Sequence, residues 1–270
     1  MPKDIYTIFS ELATLKQDLF KSYFEDQEIK EFFLGEEIAY DFFFYPAIFR
    51  KYQIKPRGAL YFGGHKGELL LQFILVGFTD IIIVEPVPEL FEQLQVKIEQ
   101  IHRLLNCYGD LINDKPISSI EAVQCAVSNE NGSAEFHVTS NSYIGSLFKP
   151  NAKVFEEQEI FTDATVNKRI IVPTRTVDSI IKQSSKNFSD FNFLYLNTQG
   201  AELQALESAE KTLAHIDCIY LEKDIAPRYE NLNSVEEIDR FILERNFVKE
   251  WEYLDERWGV AFSFYVKTKT

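Results

Sequence analysis

Three glycines, Gly63, Gly64 and Gly67, separate two apolar runs in the stretch Ala59-Leu60-Tyr61-Phe62-Gly63-Gly64-His65-Lys66-Gly67-Glu68. Eighteen positions past Gly67, Glu85-Pro86 closes another apolar run, Ile81-Ile82-Ile83-Val84. Glycine admits positive φ and lets a backbone approach a ligand that a Cβ would push away. A carboxylate can accept two hydroxyls at once, so an acid after the second run suits a ribose. Strand, glycine turn, helix, strand, acid is the order of a nucleotide-binding βαβ unit.

The spacing narrows the nucleotide. A dinucleotide fingerprint reads GxGxxG, and with its last two glycines on Gly64 and Gly67 its first falls on Phe62. A P-loop is excluded because no Gly-Lys-Ser/Thr follows the turn. Apart from Lys66, no basic residue is placed for phosphate. A glycine turn with a distal ribose acid and no phosphate cradle suits S-adenosylmethionine, which carries a ribose but no phosphate.

The elements that must position these residues follow from hydrophobic period and turn residues. Apolar positions 5–23 recur at three- and four-residue steps, predicting one amphipathic helix, and an aromatic-dense segment follows through Phe42-Phe43-Phe44-Tyr45. Residues 1–55 read as an N-terminal helical appendage, a lid over the site or a segment docked on the core or a second subunit. After Lys55-Pro56-Arg57-Gly58, residues 56–270 alternate strand and helix. Strands are expected over 59–63, 81–84, 121–128, 133–139, 169–172, 191–197 and 216–222, with a closing pair over 247–254 and 260–267. Helices are expected over 69–76, from Phe91 to Leu105, over 176–182 and 203–213, and after the capping box Ser234-Val235-Glu236-Glu237. The closing pair suggests an antiparallel edge on an otherwise parallel sheet. Residues 140–167 are polar and unpatterned, an excursion that could carry substrate contacts.

Composition bounds the partners. A net charge of −14 over 270 residues argues against a nucleic-acid partner, whose phosphates need a basic surface, and against an anionic membrane surface. Cys107, Cys125 and Cys218 are scattered and form no CxxC pair, as expected of reduced thiols in a cytoplasmic protein. No signal peptide and no membrane-length apolar run are visible.

The chain resembles the FkbM family of S-adenosylmethionine-dependent methyltransferases over residues 58–267. The family's glycine turn is matched at Tyr61 to Gly67 and its acid-proline step at Glu85-Pro86. Ala126-Val127-Ser128 before the hairpin signal Asn131-Gly132, and Thr176-Val177-Asp178, match further elements. The most specific piece is Gln199-Gly200-Ala201-Glu202 with Leu206. Tyr61 stands where the family has an acid, and Tyr195 and Asn197 where it has lysine and aspartate. The resemblance implies a Rossmann-like class I methyltransferase fold, an α/β architecture with a mostly parallel seven-stranded sheet and an antiparallel C-terminal edge hairpin. It also implies O-methylation of a sugar, glycan or natural-product hydroxyl, or a catalytically weak relative kept for binding or assembly.

Expected cofactor contacts are Tyr61, Gly63, Gly64, His65, Gly67, Glu85, Pro86, Gln124, Cys125, Ala126, Asn197 and Gln199. The glycine N–H groups and the following helix N-terminus are expected to face the cofactor carboxylate, and residues 124–126 the adenine. Methyl transfer is an in-line displacement, so most catalysis is positioning. An alcohol acceptor also needs a base within hydrogen-bond reach, for which His65, Glu222 and Asp224 are the candidates. Asn197 with Glu222 or Asp224 could hold Mg²⁺, though an ion pair with Lys223 accounts for the same acids. Glu202 and Asp178 are equally readable as helix-entry residues.

Overall fold

The computed structural model describes residues 45–112, 116–157 and 164–268. The helix expected over 5–23 and most of the aromatic segment lie outside these residues. The described end of the appendage is helix α1 (Tyr45–Tyr52), whose Tyr45, Ile48 and Phe49 are buried. Tyr45 meets the rings of Phe193, Tyr220 and Phe264, and Phe49 meets Phe78. This part of the segment is docked on the chain's own core, in keeping with aromatic side chains packing at tilted and edge-on angles.

Strand β1 (Gly58–Phe62) leads through the glycine turn to α2 (Leu70–Val76), β2 (Asp80–Val84) and the long α3 (Pro88–Ile112). Then come β3 (Ser119–Val123), β4 (Ala126–Val127), β5 (Gly132–Thr139), a 3₁₀ turn (Ser142–Ile144) and α4 (Ala152–Glu157). Next are β6 (Val166–Arg175), α5 (Val177–Gln183), β7 (Phe193–Leu196), α6 (Glu202–Glu207) and α7 (Glu210–Leu213). The chain closes with β8 (Cys218–Asp224), α8 (Val235–Leu243), β9 (Phe247–Asp255) and β10 (Val260–Lys267).

Seven strands form one sheet in the order β3-β2-β1-β7-β8-β10-β9. The first five are parallel, and β10 runs antiparallel to both β8 and β9, which is the expected edge pair. Strand alternation sends Leu60, Phe62, Ile82 and Val84 into one core layer with Val177, Leu206 and Ile238. The intervening Ala59, Tyr61, Ile81 and Ile83 enter the other layer, with Phe73, Leu94 and Tyr45. Both faces are covered, so the central strands read as unbroken apolar runs. The order reverses between β1 and β7, and the crevice beyond the carboxyl ends of strands at such a switch point is where open α/β sheets bind ligands.

Two expectations are corrected. The strand predicted over 121–128 is two strands in different sheets: β3 pairs with β2, whereas β4 pairs with β6. The run breaks at Gln124-Cys125, where the chain leaves the main sheet. The short strand expected over 169–172 spans ten residues, because pairing with β5 along its length outweighs its polar composition. Together β4, β6 and β5 make a small second sheet that roofs one end of the main one. Its Ala126, Phe136 and Val172 pack on Val87 and Leu90 at the start of α3.

Candidate functional site

Gly63, immediately after β1, has φ +81, and a Cβ there would fall 1.8 Å from the Asn197 carbonyl oxygen. No other residue type fits a turn pressed this closely on the end of β7. Gly64 is excluded from substitution differently: its Cβ would lie 2.4 Å from Ile83 Cγ1. The turn consumes its own donors. The Gly64 N–H donates to the Val84 carbonyl (2.8 Å) and that of Gly67 to the Gly64 carbonyl (2.8 Å). For Gly64 and Gly67 the expectation that their N–H groups face a ligand carboxylate is therefore corrected, since a loop this tight closes its own hydrogen bonds. Helix α2 begins only at Leu70, and the Leu70 N–H goes to the Gly67 carbonyl.

Glu85 follows β2 and is 4% exposed. One carboxylate oxygen accepts the His65 N–H and the other the Val87 N–H, each at 2.9 Å. Burial pushes its carboxyl up to about 8 despite those two donors. A carboxylate has about four lone-pair positions, so two acceptor positions remain after the backbone is satisfied. Glu85 borders a cavity with Gly63, His65, Pro86, Cys125, Ala126 and Asn197, and also with Gln199. Burial raises the Cys125 thiol to about 12, which leaves it an apolar wall rather than a nucleophile.

Tyr61 and Gln124 are not brought to this cavity. Tyr61 points to the opposite layer, where its ring lies 5.2 Å from Phe73 and 5.1 Å from Tyr195. Tyr195 continues the row, stacking on Tyr220 at 4.9 Å. These residues share one register across β1, β7 and β8, so both tyrosines that depart from the family pattern belong to an aromatic core layer. Gln124 is exposed at the break between β3 and β4.

The acids of β8 lie one layer behind the cavity. Arg228, 2% exposed, donates through Nη2 to Glu222 (2.9 Å) and through Nε to Asp224. Glu222 also accepts from Asn197 Nδ2 (3.2 Å) and Gln199 Nε2 (3.3 Å). Burial raises Asp224 to about 6, with Arg228 opposing the rise. Lys223 is on the other face of the strand, bonded to Asp239 (2.5 Å) and Glu252 (3.0 Å). The partner of the two acids is therefore Arg228 and not Lys223. With a guanidinium already between them, Glu222 and Asp224 fit neither a free base nor a Mg²⁺ site, because a second cation would meet that charge. Among the described residues, no group of three His, Cys, Asp or Glu is placed to hold a metal ion.

The loop after β7 is clamped from within. Glu202, 3% exposed, accepts the Thr198 N–H (2.7 Å), the Thr198 hydroxyl (2.9 Å) and the Gly200 N–H (2.9 Å). Gln199 sits at φ +54, its side chain held by Tyr229, Asn197 and Glu222. Asp178 likewise caps α7 through the Lys211 and Thr212 N–H groups. The specific Gln-Gly-Ala-Glu block thus shapes the cavity floor.

His65 joins the two halves of the site. It has φ +46, lines the cavity and stacks on Tyr143 at 4.4 Å. Its ring nitrogens meet Glu68 Oε1 (2.5 Å) and Ser142 Oγ (2.9 Å). Sequence reasoning missed Glu68, Ser142, Tyr143 and Arg228. The one legible signal for the serine was Asn141, which caps the 3₁₀ turn by accepting the Tyr143 N–H.

A model of the methyltransferase FkbM domain matches residues 63–249, well over half of the chain. No curated protein sequence matches. Among solved structures, the chain is similar to a methyltransferase FkbM from Methylobacillus flagellatus at 14% identity and TM-score 0.46, covering 93% of this chain and 58% of that one. The chain thus spans less than two thirds of the length of that relative. It is also similar to magnesium protoporphyrin IX methyltransferase from Synechocystis, solved with bound S-adenosylmethionine, at 8% identity and TM-score 0.44, covering 95% and 97%. From the extent of the domain match, with its glycine turn, Glu85-Pro86 step and Gln199 to Glu202 block in order, the chain belongs to the FkbM methyltransferase family.

Proposed function

We propose that the protein is an S-adenosylmethionine-dependent O-methyltransferase whose acceptor is a hydroxyl of a sugar, glycan or natural product. One observation carries the cofactor half. Gly63, Glu85, the 125–127 wall and the Asn197-Thr198 corner converge on one cavity at the sheet's switch point, and among the described residues no lysine or arginine lines it. Such a lining suits a nucleoside that has a ribose and no phosphate. The acceptor class is carried by the family resemblance alone.

When bound, S-adenosylmethionine supplies an electrophilic methyl group on a sulfonium. The chain's own residues would do the rest. Glu85, pre-aimed by the His65 and Val87 N–H groups, accepts the ribose hydroxyls. Cys125, Ala126 and Val127 offer the apolar wall for the adenine. Asn197, fixed by Glu222 and Gln199, presents the polar edge at the end of β7. Titration calorimetry with S-adenosylhomocysteine is the test. Binding by the intact protein that weakens at least tenfold in Glu85→Ala supports the reading, and no binding at millimolar ligand overturns it.

A second reading keeps the cofactor and drops the turnover. Tyr61 and Tyr195, where the resemblance expects charged residues, are absorbed into an aromatic core layer. S-adenosylhomocysteine binding without methyl transfer across alcohol acceptors would select a binding or assembly role.

A further inference from the structure

Helix α3 and β2 place Glu85, but the cavity's opposite rim is set by the 3₁₀ turn of Ser142–Ile144. That turn is held independently of any ligand. Asn141 accepts the Tyr143 N–H (3.1 Å), the Thr139 hydroxyl donates to the Asn141 carbonyl (2.7 Å), and Ile144 is buried. It delivers Ser142 Oγ to 2.9 Å from His65 Nε2, with both residues lining the cavity. On the far side of the ring, Nδ1 is 2.5 Å from Glu68 Oε1.

The chemistry of the three groups orders the protons. A carboxylate only accepts, so Nδ1 must be the donor towards Glu68. In the neutral imidazole Nε2 is then the acceptor, and the Ser142 hydroxyl donates to it. Glu68 is held as the anion. Burial works against its charge, but the hydrogen bonds from His65 Nδ1 and the Lys66 N–H outweigh it and lower the carboxyl below its ordinary value. Three constraints fix the imidazole itself: Glu68 at one nitrogen, Tyr143 stacked on its face, and Glu85 holding the residue's own N–H. The ribose-facing carboxylate thus also sets the position of the base. His65 is 8% exposed, and the Ser142 hydroxyl, which also lines the cavity, occupies its Nε2.

We infer that Glu68, His65 and Ser142 form a proton relay that opens onto the cavity and drains the proton of an acceptor hydroxyl. This deepens the proposed O-methyl transfer and rests on that reading. As the acceptor oxygen bonds to the methyl carbon, the sulfur–carbon bond breaks and its electron pair stays on sulfur as a neutral thioether. The acceptor proton passes to Ser142 Oγ while the serine proton passes to His65 Nε2. The resulting imidazolium is paired with Glu68 and later releases its proton to water. Ser142 and His65 act on the proton in transit, and Glu68 is a positioning residue that selects the tautomer.

The test reads the imidazole and does not need the acceptor. With four histidines in the chain, ¹⁵N-detected imidazole spectra can be assigned by loss of the His65 signals in His65→Gln. The expected result near pH 8, in the intact protein with and without S-adenosylhomocysteine, is a neutral ring protonated on Nδ1 and bare on Nε2. Glu68→Gln should lose that preference, because an amide can offer either its oxygen or its N–H. Ser142→Ala should keep the tautomer and shift the Nε2 resonance towards that of a nitrogen without a hydrogen bond. An Nε2-protonated ring in the wild type, or an Nε2 resonance unmoved in Ser142→Ala, overturns the relay. If Glu68→Gln fails to fold, Glu68→Asp and the wild-type spectrum decide the same point. S-adenosylhomocysteine binding with the wrong tautomer defeats the relay and spares the function, whereas the right tautomer without binding defeats the function.

Discussion

Glu85 and Glu222 both sit at the carboxyl end of a parallel strand of the same sheet, and they have opposite fates. Among the described residues Glu85 is met by two backbone N–H groups, which use one acceptor position on each oxygen and leave the rest of the carboxylate towards the cavity. Glu222 is met by Arg228, Asn197 and Gln199, and its neighbour Asp224 by the same arginine. The first acid is built to receive a ligand; the second pair is built to hold the loop after β8 and the polar corner after β7. An acid at a strand end is therefore a site only when its neighbours leave it acceptor capacity. What decides this is a residue four positions past Asp224 that folds back over the strand.

The comparison breaks most visibly at Arg228. Replacing it with alanine leaves the half-buried Glu222 and Asp224 together without a counter-charge, and losing one partner of such a largely desolvated cluster costs up to about 3–5 kcal/mol. Urea denaturation should show a loss of that size; a loss under about 1 kcal/mol would mean that the acids are already protonated or hydrated. Glu85 responds in binding instead. Glu85→Gln sets an amide N–H₂ against one of the two backbone donors and should weaken S-adenosylhomocysteine at least tenfold, or about 1.4 kcal/mol.

Protons sharpen the same contrast. Because burial raises Glu85 to about 8 in the ligand-free protein, a ligand that prefers the ionised carboxylate should bind about tenfold tighter at pH 9 than at pH 7. The slope should flatten in Glu85→Gln, which separates it from titration of the ligand. A wild-type profile parallel to that of the variant would show that Glu85 does not gate binding.

Stability should run the other way. Burial raises Glu85 to about 8, Glu202 to about 7 and Asp224 to about 6, so the folded chain binds more protons than the unfolded one above pH 4. The stability associated with these groups is full below their unfolded values near 4 and is lost as pH rises through 6 to 8. Burial also acts on Asp239 and Glu252, but the hydrogen bonds from Lys249 and Lys223 outweigh it and lower both, so their contribution is lost only in stronger acid. The thermal midpoint should therefore peak near pH 5, and a midpoint that climbs steadily from pH 5 to 8 would contradict the burial of the three acids. The smallest effect is expected at Lys149–Glu230, a half-exposed pair (2.6 Å) close in sequence to Arg228. Lys149→Ala should change stability by less than about 1 kcal/mol, since water and salt already screen such a pair.

Much of this was legible in the chain itself. The glycine turn, the Glu85-Pro86 step and the closing strand pair each rest on a local pattern, and each appears in the fold where that pattern put it. Other expectations failed where the deciding neighbour is remote. Tyr61 reads as a cofactor contact near the end of the first strand, yet alternation along β1 aims it at Phe73 and Tyr195. The run from 121 to 128 reads as one strand because its apolar character is continuous, whereas its two halves pair with different sheets. Gly64 and Gly67 were legible as turn residues, but not that the turn would use their N–H groups itself.

By sequence alone, the chain determined a strand–glycine–helix–strand–acid unit without a phosphate cradle, and the order of elements that makes a mostly parallel sheet. These follow from backbone sterics and hydrophobic period, which act over a few residues. Only the tertiary structure decided which acids remain open. Arg228 closes on Glu222 and Asp224, and Ser142 arrives from the polar excursion to meet His65 and Glu68. Those contacts join residues from separate elements, and hydrogen-bond capacity is spent by whichever partner the fold brings within about 3 Å.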